Sequence, residues 1–201
     1  MNLVISLMMF VGAATITPGG ATALAMSAGM QFGVRGSVPL ISGLVAGLST
    51  MAAVAAFGLA ELISRFPSLN TTLSVAATLY FLWLAYTIAS SQPAVEQNGK
   101  RDGIPSRFST GGFLLWLNPK AWTMTLGAAA SFGEIAQTPF KLALVFGSVF
   151  ALCSVISLFT WSYGGAFLAR VIKTTRQWRL INFSLAAILI SSIIPIWVDK
   201  F

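Results

Sequence analysis

The sequence predicts an all-α integral membrane protein in which six transmembrane helices form two inverted three-helix repeats, with helices 1 and 4 broken. Apolar residues make up 56% of the 201 residues and charged residues only 8%, which leaves too little polar surface for a soluble protein of this size. The apolar residues form long runs, which favour helices because lipid offers no partner to backbone polar groups. Two of these runs contain a proline near the middle, which predicts the two breaks.

The first half of the chain, residues 1–90, is predicted to hold three spans, at 3–30, 38–64 and 70–90. The first span is interrupted at Pro18, and a glycine-rich turn over 31–37 follows it. Gly43 and Gly47 in the second span have the G-x-x-x-G spacing that lets two helix backbones approach closely. We favour packing against another helix of the same chain, and the contact surface of a homodimer is the alternative.

A polar and charged segment at 91–108 is predicted to be a cytoplasmic linker between the halves. The second half, residues 109–201, has predicted spans at 109–132, 140–169 and 180–198, with a short turn at 133–139 and a basic loop at 170–179. The fifth span carries a series of hydroxyl side chains: Ser148, Ser154, Ser157, Thr160 and Ser162. They either line a pathway or bond to their own helix, and the second interpretation is favoured for any single one.

Basic residues are concentrated in the connections after the first, third and fifth spans, whereas the opposite side carries only Arg65, Lys141 and Lys200. The positive-inside rule therefore places both termini on the non-cytoplasmic side. An odd number of spans in each half inverts the second half relative to the first, as in inverted-repeat transporters. Because the basic residues are dispersed in short loops, no nucleic-acid partner is expected.

Each break is predicted to be a helix restart. Proline suits the first position of a helix, and the residues before Pro18 and Pro119, Thr17 and Asn118, are good N-cap residues. At about 1.5 Å per helical residue, both breaks fall near the bilayer midplane. A restarted helix directs unpaired amides and the positive end of its dipole into the break, which predicts a site for a carboxylate. Pro18 is expected to free the carbonyl of Ala14 and Pro119 that of Leu115, and these carbonyls could receive an ammonium group.

Lys120 adds a full positive charge at the same depth, and its side chain is too short to reach either interface comfortably. The predicted substrate-binding residues are the members of the two breaks: Thr17, Pro18, Gly19, Gly20, Asn118, Pro119 and Lys120. The alternative is a structural role, in which Lys120 pairs with the freed carbonyls or with a carboxylate such as Glu61.

The composition excludes several classes of function. Histidine is absent and Cys153 is the single cysteine, so an intrachain disulfide, a dithiol relay and a thiolate metal cage are ruled out. No paired carboxylates face each other inside the membrane, and we expect neither a cofactor nor an enzyme. A metal-ion exporter is disfavoured because the spans lack carboxylate clusters. An accessory membrane scaffold subunit is left open.

These motifs resemble the LysE/RhtB family of amino-acid exporters over essentially the whole chain. The resemblance is carried by Thr17-Pro18-Gly19, the Gly43 and Gly47 pair, Asn118-Pro119-Lys120-Ala121, and the basic turn before the last span. It implies a six-span inner-membrane exporter of amino acids or close derivatives, driven by proton exchange and, in many members, a homodimer. A non-amino-acid small-molecule exporter of the same fold is the alternative.

The chain departs from the family pattern beside the first break. Family members commonly have proline and then asparagine where this chain has Gly20 and Ala21, and an acidic position after the glycine pair is apolar here, Leu48. These changes put the usual substrate and the proton carrier in question. Glu61 is a weak candidate for proton coupling, and a solvated carboxylate at the interface is its more common role.

Overall fold

A computed structural model of the chain describes residues 3–59, 75, 78–79, 82–83, 85–90, 107–172 and 174–191. Every regular element within these ranges is helical. The main helices are α1 (Leu3–Ile16), α2 (Gly20–Val54), α3 (Phe108–Trp116), α4 (Pro119–Phe132), α5 (Pro139–Val171) and α6 (Thr175–Ser191). A π-helical turn, Ala55–Leu59, follows α2, and a 3-10 turn, Gly133–Ile135, follows α4.

The fourth predicted span is interrupted where the sequence indicates. Helix α3 ends at Trp116 and α4 begins at Pro119, with Asn118 in extended conformation as the N-cap. The Asn118 side-chain oxygen accepts a hydrogen bond from the Lys120 amide at 3.1 Å. The prediction of a capped restart at Pro119 is therefore confirmed.

The first predicted span is also interrupted, but its restart differs from the prediction. Helix α1 ends at Ile16 and α2 begins at Gly20, so the N-cap is Gly19 and not Thr17. The Thr17 hydroxyl instead donates to the Ala13 carbonyl at 2.6 Å, which places it at the end of α1. A threonine at the junction of two helices can serve either one, and here it closes the first.

The predicted turn over 31–37 is wrong in extent. Helix α2 continues through this region and departs from helical geometry at Gly33, with φ 70° and ψ 173°. Glycine adopts this left-handed φ at no steric cost, so a single residue bends the chain and Arg35 is already helical again.

The predicted basic loop over 170–179 is also shorter in the structure. Helix α5 continues to Val171 and α6 begins at Thr175, so Arg176 and Arg179 lie within a helix. The early start follows from a reciprocal capping box, because the Gln177 amide donates to the Thr174 hydroxyl and the Thr174 amide donates to the Gln177 side chain. The sixth span, predicted from residue 180, therefore begins earlier.

Contacts with α5 fix the directions of the other helices. The Cys153 thiol lies 3.9 Å from the Met8 carbonyl, and the Trp161 indole donates to the Ile16 carbonyl at 3.1 Å. Residue numbers rise together along the two helices. Helix α1 therefore runs in the same direction as α5.

The part of α2 after Gly33 runs the opposite way. The Ser37 and Ser162 hydroxyls are 2.7 Å apart, and the Ser49 hydroxyl donates to the Gly147 carbonyl at 2.8 Å. Residue numbers rise along α2 while they fall along α5. The sense is the same before Gly33, because the backbones of Met26 and Gly29 lie against those of Gly165 and Ser162, so the bend at Gly33 does not reverse α2.

The glycine pair of α2 packs directly on α3. A Cβ atom at Gly43 would overlap the Phe108 carbonyl, and one at Gly47 would lie 3.1 Å from the Gly112 carbonyl oxygen. This confirms packing within the chain and leaves these glycines no room for a homodimer contact. Because residue numbers again rise together, α3 runs with the later part of α2 and thus opposite to α1.

Two described segments are long and apolar enough to cross a membrane, Gly20–Gly58 and Pro139–Val171, and α1 is a shorter apolar helix. Ten of the 21 residues of the third predicted span, and residues 192–198 at the end of the sixth, lie outside the described residues.

The side chains of these helices are sorted as expected for a protein in lipid. On α5, Phe146 and Phe150 are fully buried in the core, and their rings stack with centroids 6.2 Å apart. On the outside, Met9, Ile156 and Phe183 are each about 60% exposed. Large apolar side chains exposed on several helices fit contact with hydrocarbon.

Candidate functional site

The two helix breaks meet through Lys120. Its ammonium group donates to the Thr17 carbonyl at 2.8 Å and lies 3.4 Å from the Pro18 carbonyl. The Lys120 side chain passes over Gly19, where an added Cβ atom would lie 3.1 Å from the lysine Cδ atom. A residue at the start of α4 in the second half thus reaches the end of α1 in the first.

The last carbonyls of α1 are bonded by side chains from the second half. The Ser157 hydroxyl donates to the Thr15 carbonyl at 2.7 Å, the Trp161 indole donates to that of Ile16, and Lys120 follows at Thr17. Carbonyls at a helix end have no partner within the helix and need one inside a membrane. The Lys120 cation also complements the negative end of the α1 dipole.

The second break is satisfied by its own neighbours. The Leu115 carbonyl accepts from the Asn118 amide at 2.9 Å, and the Trp116 carbonyl accepts from the Trp122 indole at 2.8 Å. The Leu115 carbonyl, which we expected Pro119 to leave free for an ammonium group, therefore has a local partner.

The first turn of α2 has no side-chain cap from its N-cap residue. Gly19 has no side chain to cap the helix, and its own amide donates to the Thr22 hydroxyl at 2.7 Å. The amides of Gly20 and Ala21, in the first turn, have no carbonyl four residues back within the helix. By contrast, Asn118 caps the first turn of α4.

A cavity of about 40 Å³ lies between the two breaks. It is lined by five of the predicted site residues, Thr17, Gly19, Gly20, Asn118 and Lys120. Pro18 and Pro119 lie next to these residues in the chain but do not line the cavity. A space of this size holds about three water molecules.

Sequence analysis missed several lining residues. They are the hydroxyl side chains of Thr15 and Thr22, and the apolar side chains of Leu44, Leu48, Leu115, Met124 and Leu158. Ser154, for which lining a pathway was the less favoured interpretation, also lines the cavity. Thr22 carried a local signal, since it stands three residues after the N-cap, but the others have no distinguishing pattern. Their place in the cavity depends on how α2, α3 and α5 pack around the breaks.

The hydroxyls of α5 behave differently from one another. The Thr160 hydroxyl bonds to its own helix, at the Ile156 carbonyl, as favoured by the sequence analysis. The Ser157 hydroxyl instead bonds to α1, and that of Ser162 lies against Ser37 of α2. The self-bonding interpretation is therefore wrong for these two.

The site is electropositive among the described residues. Lys120 is the charged residue that lines the cavity, and no carboxylate of the described ranges accompanies it. Glu134 lies in the 3-10 turn after α4. Glu61 falls outside the described residues. No group of three or more metal-ligating side chains occurs in the described part of the chain.

Comparison with known proteins agrees with the resemblance in these motifs. The model of the LysE type translocator family matches residues 12–192. The cysteine/O-acetylserine efflux protein of Klebsiella pneumoniae subsp. pneumoniae is 30% identical over 188 residues, which cover 92% of this chain and 91% of that protein. Efflux proteins of the same name from Salmonella choleraesuis and Salmonella typhimurium are each 27% identical over 178 residues, with 87% of both chains covered. No solved structure matches the chain.

Proposed function

Because the chain belongs to the LysE type translocator family, we propose that it is a secondary exporter of a small amino acid or close derivative in the inner membrane. Family membership makes it an integral membrane transport protein and not an enzyme, which confirms those predictions. The curated relatives are named for efflux of cysteine and O-acetylserine. We extend that class, small amino acids with a short polar side chain, to this chain.

The position of the Lys120 ammonium group carries the proposal. It lies in a cavity next to the uncapped start of α2, where the Gly20 and Ala21 amides and the helix dipole favour an anion. A substrate carboxylate fits between these amides and the lysine. The start of α4 is already capped by Asn118, so the carboxylate site belongs to the first break and not equally to both.

Substrate binding exchanges the partners of Lys120. A bond from the lysine ammonium to a carboxylate, in which both partners are charged, is stronger than the present bonds to the neutral carbonyls of Thr17 and Pro18. Once the lysine turns towards the carboxylate, these two carbonyls are released at the negative end of α1. They can then accept hydrogen bonds from the substrate ammonium group, so the break recognises both charges of an amino acid.

The site must widen to admit a substrate. The cavity of about 40 Å³ holds about three water molecules, whereas even serine has seven non-hydrogen atoms. We therefore regard this structure as a closed form in which Lys120 occupies part of the place of the substrate. Movement of α4 relative to α1 would open the site, because Lys120 spans the gap between them.

The proposal includes six spans in two inverted repeats, residues 1–90 and 109–201, joined by a cytoplasmic linker at 91–108. The opposite directions of α1 and α3, the first parts of the two broken spans, support this arrangement. The distribution of basic residues supports placing both termini outside the cytoplasm. A homodimer, as the family resemblance implies, would use a surface other than the glycine pair of α2.

Proton exchange is proposed as the driving force. No carboxylate of the described residues lines the cavity, which directs attention to Glu61 as the candidate carrier. Collapse of the proton gradient by a protonophore is expected to stop uphill export. Loss of export in Glu61→Gln, with exchange of internal for external substrate retained, would place the proton on this residue.

The direct test is export of an amino-acid pool from cells that express the wild-type protein or Lys120→Ala at matched membrane levels. We expect the wild type to release small polar amino acids and Lys120→Ala to lose this activity, because the remaining amides bind a carboxylate too weakly. Lys141→Ala is the matched control, since Lys141 lies at the start of α5, away from the cavity.

Normal export by Lys120→Ala would remove the lysine from the mechanism. Absence of amino-acid export by the wild type, with the protein present in the membrane, would favour a different small-molecule cargo or an accessory scaffold subunit.

A further inference from the structure

Ser154 has an unusual hydroxyl group. The residue is 1% exposed, and its Oγ atom is the one buried side-chain oxygen or nitrogen among the described residues that has no hydrogen-bond partner. It also lines the cavity that contains Lys120. A buried hydroxyl without a partner is costly, so its retention calls for a partner absent from the chain itself.

Neighbouring hydroxyls on the same helix show that partners are within reach. The Thr160 hydroxyl bonds to the carbonyl four residues earlier at 2.7 Å, which is the usual arrangement on a helix. The Ser157 and Ser162 hydroxyls find partners on α1 and α2. The Ser154 hydroxyl has neither kind of partner, and the residue lines the cavity.

The other groups that line the cavity indicate which part of the substrate the Ser154 hydroxyl contacts. In the proposed function, Lys120 and the α2 amides bind the substrate carboxylate, and the Thr17 and Pro18 carbonyls bind its ammonium group. Ser154 lines the cavity together with apolar residues, among them Leu48 and Leu158. Because these groups bind both charged groups of the substrate, the substrate side chain lies against Ser154 and the apolar side chains around it.

We propose that Ser154 is the specificity-determining residue of the site and hydrogen-bonds the polar tip of the substrate side chain. This inference rests on the proposed function and narrows the cargo to small amino acids whose side chain carries a hydroxyl, thiol or similar group. A site built around a buried hydrogen-bonding group strongly rejects an analogue that lacks the complementary group, because its own group is then left unpaired.

The test measures export from proteoliposomes that contain the purified full-length protein. The probes are L-serine and L-cysteine, compared with L-2-aminobutyrate, which replaces the hydroxyl or thiol by a methyl group. We expect the wild type to prefer serine or cysteine at least tenfold. Ser154→Ala is expected to lose that preference. The variant should export serine and cysteine at least tenfold more slowly than the wild type, and 2-aminobutyrate at the same rate or faster.

Ser148→Ala is the control, because Ser148 is on the same helix but exposed and does not line the cavity. Equal slowing of all three probes in Ser154→Ala, or no change in any, would overturn the assignment while leaving the proposed function intact. No transport of any of the three probes by folded wild-type protein would overturn the proposed function and this inference together.

Discussion

The two helix breaks are held in opposite ways. At the first, the carbonyls of Thr15, Ile16 and Thr17 accept hydrogen bonds from side chains at least 103 residues away in the sequence. At the second, the carbonyl of Trp116 accepts from Trp122, six residues later, and Asn118 caps the next helix. The second break can form as α3 and α4 fold, whereas the first takes its shape only when α4 and α5 are in place.

This difference separates a rigid part of the site from an adjustable one. The locally held break fixes Lys120 at the start of α4, while the geometry of the first break depends on where α4 and α5 lie. Any movement of the second half therefore changes the partners of the α1 carbonyls. Such a dependence is suited to a transporter, in which substrate contacts must be made on one side and released on the other.

The largest effect on stability is expected from separating α2 from α5. Helix α5 carries two of the side chains that donate to the α1 carbonyls at the first break. A Cβ atom at Gly165 would overlap the Met26 carbonyl, so Gly165→Ala forces two backbones apart and should lower the free energy of unfolding by about 3 kcal/mol or more. Gly164→Ala is the matched control, because nothing lies within 4 Å of a Cβ atom there. Thermal unfolding in detergent measures both, and equal stability of the two variants would contradict the close packing.

A smaller loss of stability is expected from removing the side chains of α5 that donate to the α1 carbonyls. Ser157→Ala combined with Trp161→Phe leaves the Thr15 and Ile16 carbonyls without these donors and should cost about 1–3 kcal/mol. Trp122→Phe removes one donor from the second break and should cost less. Thr160→Val, which loses only a bond within its own helix, serves as the control. A smaller loss of stability in the double variant than in Trp122→Phe would contradict the inference that the first break depends more on long-range partners than the second.

The smallest change in stability is expected when the first break is made to resemble the second. Gly19→Ser gives α2 a side-chain cap and should raise stability by a few tenths of a kcal/mol. Export should nevertheless fall severalfold, because the new side chain occupies the open amides and crowds Lys120. Gly127→Ser, at a position with open space, controls for the added hydroxyl. Unchanged export in Gly19→Ser would argue against carboxylate binding at the α2 amides.

The sequence was most informative where the chemistry is local. Proline lacks an amide hydrogen wherever it occurs, so the breaks near Pro18 and Pro119 could be located, and Asn118 could be identified as a cap. The capping box of Thr174 and Gln177 is an equally local signal, and it explains why α6 begins earlier than predicted. The bend at Gly33 was expected as a longer turn, since sequence does not show how much of a direction change one glycine absorbs.

The long-range part of the site could not be derived in this way. The sequence offered pairing of Lys120 with carbonyls of the breaks as an alternative, but it did not identify the Thr17 and Pro18 carbonyls as the partners, because those contacts depend on the packing of α4 against α1. Ser154 likewise resembles the other hydroxyls of its helix in sequence and differs from them only in what surrounds it. Inferring a binding role for the breaks required only local signals, whereas assigning individual partners required the fold.

The bonds of Lys120 to the Thr17 and Pro18 carbonyls also affect how well the membrane excludes ions. A transporter that opens a polar site near the bilayer midplane risks conducting protons and metal ions along the same route. A cation fixed where the two breaks meet raises the electrostatic barrier to other cations, as charged residues do in channels that exclude them. The residue proposed to capture the cargo would thus also preserve the ion gradient that drives its export.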